Sequence, residues 1–134
     1  GEEETEWMDT GNSMLGKRLY LFYDNKPVLA TVKMWAPRAC PQLWHVVHSD
    51  GDQEDLIERE AREAIETYRV HNALKVGVKV RFCNLRQWKD GVVVRVSQRD
   101  HFFGIRCTDK SKMKKNKLTY VDARNIKILK DQSN

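Results

Sequence analysis

The chain has 134 residues, of which 40% are hydrophobic and 32% charged, a balance typical of a folded protein rather than a disordered one. This length suits one medium domain or two very small ones. The sequence has no apolar run long enough to span a bilayer and no signal-peptide pattern, so we expect no membrane partner. Because it begins at Gly1 rather than Met, we expect a piece of a longer protein.

Charge is divided unevenly between the two halves of the chain. Residues 1–70 hold 8 Lys/Arg and 14 Asp/Glu, a net charge of −6, whereas residues 71–134 hold 16 and 5, a net charge of +11. This asymmetry predicts two modules with different partners. The acidic half suits a basic ligand and the basic half suits a polyanion.

The first half reads as an acidic lead-in followed by three strands. Residues 1–13 carry five acids and few apolar side chains, which predicts a mostly disordered segment. Alternating apolar residues and turn signals predict strands over 17–23, 28–35 and 43–48, with a proline-containing loop before the third.

An acidic turn and a helical pattern follow the third strand. Ser49 to Asp52 contains Gly51, which tolerates positive φ, and Asp side chains that bond to nearby backbone. From Asp52 to Val70 apolar residues recur at steps of three and four, which predicts a helix with Asp52 as its N-cap and Asp55 in the capping-box position.

The pattern then starts again from Val76. Gly16 and Gly77 are 61 residues apart, as are Ala30 and Gly91, so the strand–turn–strand pattern is repeated. We therefore predict a mostly β fold of two small SH3-like barrels with a connecting helix at about 53–70. The predicted segments are a lead-in over 1–13, a first barrel over 14–52, a linking helix over 53–75 and a second barrel over 76–130.

Four stretches of the first copy resemble a Tudor domain: Leu15 to Arg18, Phe22-Tyr23, Ala30 to Val32, and Val46 to Asp52 with its Asp-Gly turn. The second copy resembles a Tudor or Agenet barrel without that turn. The pairing is similar to tandem Tudor readers of methylated histone tails. This resemblance implies a nuclear, chromatin-associated reader, monomeric as this chain, that binds a histone tail with methylated or unmethylated lysine and needs no cofactor.

The family's methyl-lysine cage carries over in part. Tyr23 corresponds to the aromatic residue that ends strand one, and Asp50 to the acid that contacts the ammonium. Val28, His48 and Asp52 stand where the family has aromatic walls. Phe22, Trp35 and Trp44 are possible substitutes, and Trp88 lies near a wall position in the second copy. The residues predicted to contact the peptide are Tyr23, Phe22, His48, Asp50, Asp52 and Trp88.

The basic half supplies a second predicted surface, for DNA or RNA. Phosphate contacts would dominate there, so binding should be salt-sensitive. Phe102 and Phe103 are candidates for stacking on single-stranded bases. The predicted contacts are Arg81, Lys89, Arg95, Lys110, Lys112, Lys114, Lys115 and Lys117.

Catalysis and metal binding are not expected. The four histidines have no HExxH spacing, and no GxSxG, Walker or GxGxxG pattern occurs. Cys40, Cys83 and Cys107 are odd in number and form no CxxC pair, so we predict reduced thiols. Two alternatives to the histone-tail reader stay open: a nucleic-acid-binding double barrel without a cage, and a scaffold that docks a partner peptide.

Overall fold

The computed structural model describes residues 5–97, 101–109 and 117–130. The chain divides into two compact units, Gly1–Tyr68 and Arg69–Asn134. Within the described ranges, no helix combines the length and apolarity needed to cross a bilayer.

The first unit contains a four-stranded antiparallel sheet. Its strands are β1 (Arg18–Tyr23), β2 (Lys26–Ala36), β3 (Leu43–His48) and β4 (Gln53–Ile57), in the order β1-β2-β3-β4. The helix α1 (Glu58–Ala73) follows directly.

The second unit contains a five-stranded antiparallel sheet. Its strands are β5 (Lys79–Asn84), β6 (Gln87–Val96), β7 (Phe103–Cys107), β8 (Leu118–Val121) and β9 (Ile126–Ile128), in the order β8-β7-β6-β5-β9. A 3₁₀ turn, Ala123–Asn125, precedes β9. After that turn, β9 pairs antiparallel with β5, the first strand of this unit, with Val80 opposite Ile128. The predicted mostly β fold with one helix is confirmed.

The 61-residue spacing relates the first hairpin of one unit to the first hairpin of the other, strand by strand. β1 and β5 begin at Arg18 and Lys79, and β2 and β6 begin at Lys26 and Gln87, each pair 61 residues apart. Both turns are two residues long with positive φ, at Asp24-Asn25 and at Leu85-Arg86, the conformation that matches the twist of paired strands. Leu85 and Arg86 adopt it without the usual Gly or Asn.

The same spacing holds at the start of each unit. Gly16 has φ +80° and its N–H donates to the carbonyl of Val32 over 2.9 Å; Gly77 has φ +95° and donates to Val93 over 2.8 Å. The register of the second strand shifts just after Val32 and just after Val93. Each unit is therefore built on one hairpin design with a bulge at the same place.

Each unit has its own hydrophobic core, formed by alternate residues of its strands. The first core includes Leu19, Val32, Trp44, Val46 and Leu56, together with Ala61 and Ala64 of α1. The second includes Val80, Phe82, Val93, Phe103 and Ile105, together with Val70 of α1 and Leu74 after it.

The helix begins later than the sequence suggests. Gln53–Ile57, expected to be helical, is β4 and pairs with β3, with Trp44 opposite Leu56. The helix starts at Glu58, where the side chain of Glu60 accepts a hydrogen bond from the Ile57 N–H, which is half of a capping box. Pairing with β3 therefore overrides the helical signal of Asp52 and Asp55.

The lead-in is more ordered than expected over its described part. Met8 forms a β-bridge with Trp35, whose indole N–H donates to the carbonyl of Thr10 over 2.7 Å. Asn12 accepts from the indole N–H of buried Trp44 over 3.0 Å. These contacts attach residues 8–12 to the first sheet, because each satisfies a donor or acceptor that would otherwise need water. Residues 1–4 lie outside the described ranges.

Candidate functional site

Three side chains converge at one end of the first sheet, on its core-facing side. Side chains alternate along a strand, so Tyr23 lies on the same face as buried Leu19, and His48 on the same face as buried Val46. On β4 the same face carries Glu54. These three residues, Tyr23, His48 and Glu54, define what we call the Tyr23 site.

Glu54 joins the two rings. One of its carboxylate oxygens, Oε2, accepts a hydrogen bond from the Tyr23 hydroxyl and also lies 2.7 Å from Nε2 of His48. The rings of Tyr23 and His48 are 5.8 Å apart between centroids and inclined by 38°. The two rings therefore pack against each other, and Tyr23 is the exposed member of the pair.

The site is partly open to solvent. Tyr23 is 44% exposed, whereas His48 is only 8% exposed. Partial burial of Tyr23, its hydrogen bond to Glu54 and the nearby carboxylate charges of Glu54 and Asp52 raise the pKa of Tyr23 to about 12. Tyr23 therefore stays neutral at physiological pH and remains a hydrogen-bond donor.

The turn between β3 and β4 adds two exposed carboxylates. Gly51 has φ +96°, and the Asp52 N–H donates to Oδ1 of Asp50 over 3.0 Å, which is the turn chemistry expected from the sequence. The His48 N–H donates to the Asp52 carbonyl over 2.7 Å. This folding places one ligand-type atom each from His48, Asp50 and Asp52 within 4.8 Å of one another, and the negative charge suits a cation.

The predicted peptide contacts do not all meet at this place. Tyr23, His48, Asp50 and Asp52 are brought together. Phe22 is not among them, because as the neighbour of Tyr23 on β1 it points to the opposite face of the sheet.

Three other aromatic candidates belong elsewhere. Trp88 belongs to the second unit, where the Nζ atom of Lys127 lies 4.5 Å from its ring centroid. Trp44 is only 2% exposed, and Trp35 packs against it with ring centroids 6.2 Å apart. Neither is a cage wall at the Tyr23 site, because both take part in the first core.

Sequence reasoning missed Glu54. The segment was expected to be helical, so the face on which Glu54 lies could not be assigned. The available signal was the alternation of Glu54 and Leu56 with Gln53 and Asp55, which fits a strand. On the opposite face, His45 bonds Asp55 over 2.7 Å and Gln53 over 2.8 Å. A second histidine–carboxylate pair therefore lies on the other side of the sheet from His48 and Glu54.

Four of the predicted nucleic-acid contacts can be placed. Arg81 is exposed on β5 and forms an ion pair with Asp90 at 3.4 Å, and Arg95 donates to the Tyr120 hydroxyl over 3.3 Å. Lys89 pairs with buried Phe82 and so lies on the other face of the sheet from Arg81. Lys117 is exposed just before β8. The remaining four lie outside the described residues: Lys110, Lys112, Lys114 and Lys115.

The two predicted stacking residues differ in exposure. Phe103 is 1% exposed and packs in the second core, so it is not a stacking surface. Phe102 is half-buried.

Comparison with known proteins adds no relative: no family model, no curated protein and no solved structure matches the chain.

Proposed function

We propose that this chain is a non-catalytic, chromatin-associated reader that acts in the nucleus. The first unit holds a lysine or arginine side chain of a histone tail at the Tyr23 site, and the basic second unit contacts DNA or RNA. The observation that carries the proposal is the Tyr23 site itself. It combines an exposed aromatic ring, fixed in place by Glu54, with the exposed carboxylates of Asp50 and Asp52 beside it.

The balance of ring and carboxylate groups determines which cation the site prefers. A cation on one exposed ring gains about 0.5–1 kcal/mol. A hydrogen bond to a charged group contributes about 1.5–3 kcal/mol, but it requires an N–H on the ligand. A trimethylated ammonium has none. We therefore expect arginine, unmodified lysine and monomethyl-lysine to bind more tightly than trimethyl-lysine, and all of them weakly.

The test is an NMR titration of the full chain with one histone-type peptide in four forms, whose single central lysine carries zero, one, two or three methyl groups. We expect shifts at residues around Tyr23 and affinity that decreases with each added methyl group. Tyr23→Leu and Glu54→Gln should each weaken binding. No shift at these residues, or tightest binding of the trimethylated form, would refute this assignment.

The chain offers a matched control for the carboxylate. Asp55→Asn neutralises a carboxylate that also bonds a histidine, but on the opposite face of the same sheet. It changes the net charge of the first unit as much as Glu54→Gln does. If both substitutions weaken binding equally, the effect comes from overall charge and not from the Tyr23 site.

A second candidate function is nucleic-acid binding without tail recognition. The net charge of +11 over residues 71–134 favours it, because neutralising phosphates releases counterions and gives strongly salt-dependent binding. A shift assay with a random-sequence oligonucleotide across salt concentrations tests it, and a flat salt response would exclude it. If the oligonucleotide binds while no peptide does, this second function replaces the first.

A further inference from the structure

One face of the second sheet is directed away from the core of its unit and is rich in basic residues. Its buried face is defined by Val80, Phe82, Val93, Phe103 and Ile105. By alternation, the other face carries the residues between them. The basic residues on this outer face are Lys79, Arg81, Arg95, Arg106 and Lys127.

Cross-strand register arranges these residues in rows. Lys127 lies opposite Arg81, which lies opposite Asp90. In the next row, Lys79 and Arg106 both lie opposite Val92. Among the described residues of these five strands, Asp90 is the single acid on this face. The face therefore carries a net positive charge that is not cancelled within the sheet.

Two exposed aromatic rings lie on the same face: Trp88 has a lysine ammonium over its ring, and Tyr120 has an arginine at its hydroxyl. Trp88 is 37% exposed and has the Lys127 ammonium 4.5 Å from its ring centroid. Tyr120 is 48% exposed, and its hydroxyl accepts a hydrogen bond from Arg95. Large aromatic side chains on a charged surface, left out of the core, are typical of a binding surface.

Gly104 explains how the Tyr120 ring is held. A Cβ atom at Gly104 would lie 3.1 Å from Cε1 of Tyr120 and 3.1 Å from Cβ of Arg95. The ring therefore lies across the backbone of β7 in the space that a side chain would occupy. The ring is therefore held against the strand while about half of Tyr120 stays exposed, as a stacking surface requires.

We propose that this outer face binds single-stranded nucleic acid, with bases stacked on Trp88 and Tyr120 and phosphates held by Arg81 and Arg106. The inference rests on the nucleic-acid part of the proposed function and specifies it. Bases in a duplex already stack on each other, whereas unpaired bases can stack on protein rings. An acidic peptide would satisfy the basic residues but would leave the two rings without a role.

The spacing of the rings sets the length of the ligand. Tyr120 is in the row of Arg95, and Arg95 is seven residues from Trp88 along β6. One of these residues lies in the bulge between Val93 and Arg95, so the other six, at about 3.3 Å each, span roughly 20 Å along the strand. One base cannot contact both rings, so a strand of several nucleotides is required.

The experiment compares three polyanions of different form, using the full chain and fluorescence anisotropy. The probes are a labelled oligothymidine of about 12 nucleotides, within the range of known single-strand sites, a duplex of equal length, and polyglutamate as competitor. We expect the single strand to bind tightest. Trp88→Leu and Tyr120→Leu should each weaken it by about fivefold or more, whereas Trp88→Phe, which keeps a ring, should retain most of the binding.

Control substitutions separate stacking from charge. Arg106→Gln should weaken both single strand and duplex and reduce the salt dependence, whereas Lys33→Gln, an equal charge change on an exposed position of the first sheet, should do neither. If the chain binds nucleic acid but the leucine variants bind as the wild type does, the stacking platform is refuted and nucleic-acid binding stands. Tighter binding of duplex, or of polyglutamate, also refutes it. If no nucleic acid binds at all, both this inference and the nucleic-acid part of the proposed function fail, while the tail-binding test is unaffected.

Discussion

Gly91 and Ala30 occupy the same place in the two repeats, which makes Gly91→Ala an informative substitution. Ala30 is 1% exposed in the first core. A Cβ atom at Gly91 would lie 2.6 Å from Cγ2 of Ile105, 2.9 Å from the carbonyl oxygen of Arg106 and 2.9 Å from Cε1 of Phe82. All three distances are shorter than real Cβ contacts, so the added methyl group must displace its neighbours.

The expected cost follows from two opposing effects. Overpacking a core destabilises by about 1–3 kcal/mol, and one of the neighbours here is a backbone atom of β7 that cannot rotate away. Replacing Gly by Ala in a compatible strand conformation restores about 0.4–1 kcal/mol through the unfolded chain. We expect Gly91→Ala to reduce the unfolding free energy of the second unit by about 2 kcal/mol.

The first repeat also suggests a second substitution that should reduce this loss of stability. Leu21, 61 residues before Phe82, is the smaller side chain that accompanies Ala30. Adding Phe82→Leu to Gly91→Ala should therefore cost less than the sum of the two single changes, by about 0.5 kcal/mol or more.

Urea unfolding followed through backbone amide resonances would measure the unfolding free energy of each unit separately. Separate values are needed because a two-unit chain need not unfold in one step. Equal unfolding midpoints for wild type and Gly91→Ala, or strict additivity in the double variant, would refute the packing explanation.

Two further predictions concern a titrating histidine and a buried hydrogen bond. Burial lowers the pKa of His71, and the neighbouring His101 lowers it further. Below the unfolded value of 6.5, the unfolded chain therefore binds more protons than the folded chain. As a result, the second unit loses stability as the pH falls. His71→Gln should remove the part of the loss that appears as the pH falls through the unfolded value of 6.5, and an unchanged pH dependence would contradict the assignment. Asn12→Ala leaves the indole N–H of buried Trp44 without its acceptor and should reduce the unfolding free energy of the first unit by about 1–3 kcal/mol. Asn12→Asp keeps an acceptor oxygen and serves as the control. If calorimetry shows a smaller loss of stability for Asn12→Ala than for Asn12→Asp, that would argue against the hydrogen bond.

The sequence predicts the hairpins well because their determinants are local. The spacing of 61 residues between Gly16 and Gly77 correctly aligned the first two strands of each unit, since turn residues and alternation lie within a few positions of one another. The helix prediction was wrong at Gln53–Ile57. There, short-range capping signals compete with pairing to β3, which depends on residues about ten positions away. That failure concealed Glu54.

The candidate sites were predictable only in part for the same reason. Asp50 and Asp52 follow from turn signals, whereas Tyr23 follows from the resemblance to a Tudor domain. Whether an aromatic residue fills a core or remains exposed depends on cross-strand neighbours, so Phe103 and Tyr120 could not be distinguished by residue type. The absence of Gly104's side chain is similarly informative only once Tyr120 is known to lie across it.

The helix α1 limits where this protein can be divided. Ala61, Ala64 and Ile65 complete one core, and Val70, with Leu74 just beyond, completes the other, so a break at either end of the helix would strip one unit of apolar cover. A single turn, residues 66–69, separates the two sets. Autonomous halves for separate binding studies therefore require either a cut inside that turn or duplication of the helix in both pieces.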